Sequence, residues 1–355
     1  MYYTGIDLHK DNVTLTTVNN DGDILKQMKL PNEEHSILNY FFTIGKKHKA
    51  VVESTSNWYW LSDLLNDHGI DLTLAHAKYL KAISYAKVKT DKVDSRTLAN
   101  LLRVDMVPTA HQISPSLRGL RDLMRARLSL VHKNTSCQNS IHRLLAKYNL
   151  AVPKGKKLHD LPTLDLLEDL PLQTQQRLQL EMLIEQIRLL RKQIAQLQKS
   201  IYPQLIPNDD IQRLLWVPGI GKILAFTIYT EIDGIERFPT VKHLWSYCRL
   251  VPGANNSNKS NKHKSANKDG NKYLKMTFTE AAVRAIQYNK EIKEFFNTKE
   301  RKKHTSIARI LIAQELAKIC FYVLKNKTDF NNKFKGKTLS RRKAMQWPRL
   351  ASPDA

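Results

Sequence analysis

The chain has 355 residues, enough for two or three domains with proper cores. Its 57 Lys and Arg outnumber 33 Asp and Glu, giving a formal charge of +24 and a pI near 9.8. That excess points to a polyanionic partner, nucleic acid foremost, while 42% hydrophobic residues exclude a wholly disordered basic polypeptide. Cys137, Cys248 and Cys320 are odd in number and far apart, and neither a disulfide framework nor a Cys-rich zinc site follows from them. No run approaches the roughly 18 apolar residues of a membrane span. The opening MYYTGIDLHK has no basic start and apolar core of a signal peptide, so the expected location is the cytoplasm.

In chain order, YYTGIDL predicts a strand, and VTLTTVNNDGDILKQMKL a hairpin turning at Asn20, Asp21 and Gly22. KAVVES reads as a strand ending in Glu53, NWYWLSDLLNDHG as a helix closed by Gly69, and IDLTLAHA as another strand. KVKTDKVDSRTLANLL opens an amphipathic helix with Thr90 or Asp91 as N-cap and Leu98, Leu101 and Leu102 on its buried side. This alternation predicts an α/β domain over residues 1–110. Residues 111–208 read as helical, with breaks around Pro153 and Pro171. Inside them Leu180, Leu183, Ile187, Leu190, Ile194, Leu197 and Ile201 follow 3-4 spacing, as in a coiled coil. Such a stripe serves either a homo-oligomer (dimer or tetramer) or a hairpin packed on residues 117–149 of the same chain.

A third region spans 209–325, and a basic tail over 326–355 is expected to be solvated. LLWVPGIGKILAFTIYTEI places a Pro-Gly-Ile-Gly turn between two apolar helical stretches. This is similar to a helix-hairpin-helix, in which Gly219, Gly221 and Lys222 would meet nucleic-acid phosphate; a tight turn between core helices is the other reading. Residues 253–272 form a polar stretch whose Lys259, Lys262, Lys264, Lys268 and Lys272 offer a phosphate-binding surface.

Four acids stand where a sheet could converge them. Asp7 and Glu53 lie at strand ends, where ligands bind in open α/β sheets. Asp91 and Asp94, three apart, share one helix face. Helix capping explains the last two in isolation, but together the four make the hard oxygen set that Mg²⁺ or Mn²⁺ requires.

GIDLHKDNVTLTTVNNDGDI, VVESTSNWYWLSDLL and KTDKVDSRTLANLL resemble the acidic segments of the DEDD transposases of bacterial insertion sequences, the insertion sequence one-ten family of bridge-RNA-guided recombinases. The resemblance implies a RuvC-like, ribonuclease-H-type domain with Asp7, Glu53, Asp91 and Asp94 as the catalytic, metal-binding tetrad. It implies a mainly helical C-terminal transposase domain, opened by the P-G-I-G segment and carrying a nucleophilic serine. Counting from Pro252 to Gly270 assigns that serine to Ser257. Asn258 follows it where the family commonly has glycine, so Ser260 and Ser265 remain alternatives. The implied partners are element and target DNA and a structured noncoding RNA. Two other readings stay open at this point, a metal-dependent nuclease or junction resolvase without a serine step, and a noncatalytic nucleic-acid-binding protein. Sugar kinases and actin-like ATPases share a G-I-D strand, but Leu8, His9 and Lys10 stand where their Gly-Thr belongs.

Overall fold

A computed structural model of the chain describes residues 1–45, 47–83, 90–252, 269–330, 333–334 and 337–338. It separates into two compact units, Met1–Pro115 and Ser116–Ala355.

The first unit is built on five strands: β1 (Tyr2–Leu8), β2 (Asn12–Val18), β3 (Ile24–Pro31), β4 (His48–Glu53) and β5 (Asp71–Ala75). Their order is β3-β2-β1-β4-β5. The pairs β1–β2 and β2–β3 are antiparallel, whereas β1–β4 and β4–β5 are parallel. The predicted hairpin forms because the Asn19 side chain accepts from the amides of Asp21 and Asp23, both at 2.9 Å, and Gly22 takes φ +94°. Helices α1 (Glu34–Phe42) and α2 (Trp58–Asp67) cover one face over Ile6, Leu15, Val52 and Leu74. α1 was not among the elements expected from the sequence. α3 (Ala77–Ile83) and α4 (Asp91–Arg103) follow β5, and Leu80, Leu98 and Leu102 pack with Val51 and Ala75 on the other face.

The second unit is helical among its described residues, apart from two two-residue strands. It opens with α5 (Pro115–Lys147), α6 (Leu161–Glu168) and α7 (Thr174–Gln204), separated where Pro153 and Pro171 were expected to break the chain. α7 runs through the whole predicted stripe. Leu180 and Ile187 are buried with Ile141, Leu144 and Leu145 of α5, and Ile201 shares a core with Met124. Leu190 and Ile194 between them are half-buried. Both ends of the stripe thus meet α5 of the same chain, as in an antiparallel hairpin. There follow α8 (Asp209–Leu215), α9 (Lys222–Ile232), α10 (Val241–Tyr247), α11 (Lys272–Tyr288), α12 (Lys290–Glu300) and α13 (Thr305–Lys325). Phe226, Leu274, Phe278, Ile312 and Leu316 are among the residues of their shared core.

Candidate metal centre

The acidic corner is set by one close approach. Gly5 lies two residues before Asp7 and so on the same face of β1. A Cβ at Gly5 would stand 1.9 Å from Ser95 O and 2.5 Å from Ala99 N, both backbone atoms of α4. Only glycine lets the helix lie this close. Ser95 Oγ is 2.7 Å from Thr16 Oγ1, and Gln27 Nε2 donates to Lys92 O at 3.1 Å, so the first turn of α4 is tied across β2 and β3.

That docking brings Asp91 to the end of β1. The cap is Thr90, whose Oγ1 accepts from Val93 N at 3.3 Å, which leaves the Asp91 carboxylate available for other contacts. His9 Nε2 sits 3.1 Å from Asp7 Oδ2 and 3.4 Å from Asp91 Oδ1, and Lys29 Nζ donates to Asp91 Oδ2 at 2.9 Å. Asp7, His9 and Asp91 each offer a ligand atom, and the three atoms lie within 4.8 Å of one another. Glu53 and Asp94 are not in that group. The register pairing Ile6 with Val52 nevertheless puts Glu53 in the next position beside Asp7. Asp94 is close enough to Asp7 for its charge to act there.

The two carboxyls at the corner are driven in opposite directions. Burial raises the Asp7 pKa, His9 works against it, and the negative charges of Asp91 and Asp94 raise it further. The hydrogen bond from Lys29 holds Asp91 below its ordinary value, with further help from the Lys29 and His9 charges. A part-buried carboxylate such as Asp7, whose ionisation is opposed by burial and by neighbouring carboxylates, is in an environment that a divalent cation relieves. His9 and Lys29 bring an imidazole nitrogen and an ammonium to the same place. Neither was singled out from the sequence, although alternation puts residues 5, 7 and 9 on one side. The register Asp7–Thr14–Lys29 likewise completes a row across three strands.

In the second unit the predicted turn falls between α8 and α9. Gly219 has φ +82°, and a Cβ there would lie 2.2 Å from Ala281 O of α11, so its glycine is required by packing. Gly221 is the N-cap of α9, with nothing within 4 Å of a Cβ. Lys222 Nζ lies 5.9 Å from the centre of the Tyr202 ring, and burial lowers its pKa. Lys272 begins α11, its Nζ 5.1 Å from the Tyr273 ring centre. Ser257, Ser260, Ser265, Lys259, Lys262, Lys264 and Lys268 lie outside the described residues, as does most of the tail.

Comparison with known proteins bears on both units. A DEDD transposase model of the IS110 group matches residues 4–150, and a model described as transposase IS116/IS110/IS902 family matches residues 211–297. The chain is 21% identical over 338 residues to the transposase for insertion sequence element IS1328 of Yersinia enterocolitica, covering 92% of this chain and 98% of that protein. It is also 21% identical over 289 residues to the transposase for insertion sequence element IS1111A of Coxiella burnetii, covering 81% and 78%.

Proposed function

We propose, on the premise that this chain belongs to the IS110/IS116/IS902 family of transposases and is a DNA transposase, that it cuts and rejoins element and target DNA with a divalent-metal acidic centre and a serine nucleophile. The observation that carries the reading is the convergence of Asp7 and Asp91 at the end of β1, under a helix docked on Gly5. Asp7 and Asp91 would hold Mg²⁺ or Mn²⁺, with Glu53 and Asp94 as the neighbouring carboxylates of the tetrad. A bound divalent cation would supply electrostatic stabilisation of phosphodiester oxygens. The strand order β3-β2-β1-β4-β5 supports a RuvC-like, ribonuclease-H-type reading of residues 1–110.

The remaining division is a helical coiled-coil region over 111–208, a C-terminal transposase domain over 209–325 and a basic tail over 326–355. Ser257 is the proposed nucleophile, with Ser260 and Ser265 as alternatives. Its hydroxyl attacks phosphorus, the bond to the leaving strand oxygen breaks, and a phosphoserine link conserves the energy until a new strand end displaces the serine. Lys259, Lys262, Lys264, Lys268 and Lys272, with Gly219, Gly221 and Lys222, are the proposed phosphate contacts. Target choice is assigned to a structured noncoding RNA gripped by shape and charge, and a homo-oligomer to the face of α7 left half-covered by α5. The proposed site of action is the cytoplasm; among the described residues no helix is long and apolar enough to cross a membrane.

The test is recombination between plasmid-borne element ends, with and without the flanking noncoding RNA. Recombinants only with the RNA support the reading. Full strand transfer by Ser257→Ala, Ser260→Ala and Ser265→Ala variants, each with its metal, would replace it by a metal-dependent nuclease or resolvase without a serine step.

A further inference from the structure

A second charged cluster, remote in sequence from the acidic corner, lies inside the helical unit. Glu231 of α9 has a side chain 1% exposed. Its Oε1 accepts from Arg125 Nε at 2.5 Å, and its Oε2 accepts from Arg125 Nη2 at 2.8 Å, Arg121 Nε at 3.2 Å and Asn271 Nδ2 at 2.6 Å. A buried carboxylate stays ionised only when it is paired and hydrogen-bonded. Burial pushes the Glu231 carboxyl up, but the Arg125 hydrogen bond and the Arg121 and Arg125 charges outweigh burial and hold it below its ordinary value.

Asn271 serves two elements at once. While Nδ2 donates to Glu231, Oδ1 accepts from Tyr273 N at 2.9 Å and Leu274 N at 3.0 Å, capping α11. Its own amide donates to Tyr247 O, and Arg249 Nε donates to Gly270 O at 2.7 Å. Gly270 takes φ +96°, where a Cβ would stand 2.4 Å from Tyr247 O. The Arg125 guanidinium lies 4.4 Å from the centre of the Tyr273 ring. On the other side of residues 253–268, Gln314 of α13 donates to Leu250 O at 2.7 Å, and its backbone oxygen accepts from Trp245 Nε1 at 2.8 Å. The chain is therefore fixed immediately before and after that segment, and Glu231 is the charged centre of the second fixing point.

We infer that Glu231 is a positioning residue for strand transfer: through Asn271 it fixes the point at which the serine-bearing segment joins α11. The inference rests on the reading that the nucleophile is Ser257, Ser260 or Ser265. A bare helix cap would need Asn271 Oδ1 alone. The bond from Nδ2 to a buried, doubly arginine-paired carboxylate adds a tie from the cap to α5 and α9, and capping does not require it.

The experiment uses the full-length chain in the plasmid strand-transfer assay. Asn271→Ser keeps a good N-cap but is too short to reach Glu231. It should lower the transfer rate about 10- to 100-fold, the scale of losing a hydrogen bond to a charged group. Its melting temperature should fall by only a few °C, because Arg121 and Arg125 still pair Glu231, and its nucleic-acid affinity should stay close to wild type. Glu231→Gln combined with Asn271→Asp reverses the donor and acceptor while keeping the net charge. This pair should transfer strands faster than either single variant. Transfer by Asn271→Ser within about twofold of wild type would overturn the inference, as would a double variant no better than its singles. So would losses of transfer that track losses of melting temperature in every variant, which would reduce Glu231 to a core ion pair. Alanine at Ser257, Ser260 and Ser265 in the same assay separates the two levels. If all three variants transfer strands normally, the nucleophile reading fails whatever Asn271→Ser does.

Discussion

Replacing Gly5 with alanine should push α4 off the sheet and dismantle the acidic corner without touching a carboxylate. The new methyl would lie 1.9 Å from Ser95 O, 2.5 Å from Ala99 N and 2.9 Å from Leu98 Cβ. Two of these are backbone atoms, so no rotamer change relieves the clash. To regain contact near roughly 3.5 Å, the helix must retreat by about 1.5 Å. That movement is large against the Thr16–Ser95 contact at 2.7 Å and the Lys29–Asp91 contact at 2.9 Å, which hold the first turn of α4. Overpacking of this kind costs about 1–3 kcal/mol, and a melting transition of a unit this size moves about 4 °C per kcal/mol. The functional penalty should be larger, because a misplacement of about 1 Å can cost about 100-fold in rate. The assay pairs thermal melting with cleavage of element-end DNA in Mg²⁺. Gly119→Ala is the matched control: it lies within α5, no atom is within 4 Å of its Cβ, and it should stabilise by about 1 kcal/mol. A Gly5→Ala protein that melts and cuts like wild type would refute the claim that this contact sets the site.

Asp7→Asn should raise the melting temperature of the metal-free protein at neutral pH while abolishing cleavage. Burial and its acidic neighbours raise the Asp7 pKa, so its ionisation costs stability above the unfolded carboxylate pKa, a cost the amide does not carry; an Asn variant that melts lower contradicts this. Glu231→Ala should destabilise the helical unit by about 3–5 kcal/mol, since it leaves two arginines facing a buried cavity. Because the Glu231 pKa is depressed, its contribution should be present above the unfolded pKa and fade as pH falls through the lower folded value, which denaturant titration against pH would read. Mixing a Glu53→Gln protein with a Ser257→Ala protein should restore strand transfer if subunits share one active centre. Failure of rescue, with assembly and nucleic-acid binding intact, would confine catalysis to single chains.

The parts of the site that were legible in the sequence are those with a local signature. Asp7 stands at the end of a strand-like run, and Asp91 and Asp94 stand three apart after a threonine, so local signals gave a strand end and a helix start, while the expectation that these acids work together rested on the family resemblance. The hairpin at Asn20–Gly22 was legible for the same reason, its turn chemistry being contained in five residues. What escaped depends on pairings between distant segments. Gly5 looks like an ordinary strand glycine until α4 lies on it. Lys29 reaches Asp91 only through the register of two hairpin-linked ladders. Glu231 sits in an apolar helical run with no local hint of partners 110, 106 and 40 residues away. The α7 stripe shows the converse limit: its heptads fix a buried face but do not say which chain supplies the cover, and here α5 covers both ends.

The central claim, that the corner formed by Asp7 and Asp91 holds the divalent ion for DNA cleavage, is tested most directly by Mn²⁺ titration followed by electron paramagnetic resonance. Wild-type protein and its Asp91→Asn variant would be compared at neutral pH. Removing one charged ligand should weaken binding at least about tenfold, the lower end of effects seen even for residues that merely support metal ligands. Unchanged Mn²⁺ affinity in Asp91→Asn would contradict the account and leave Asp91 as a surface partner of Lys29 and His9.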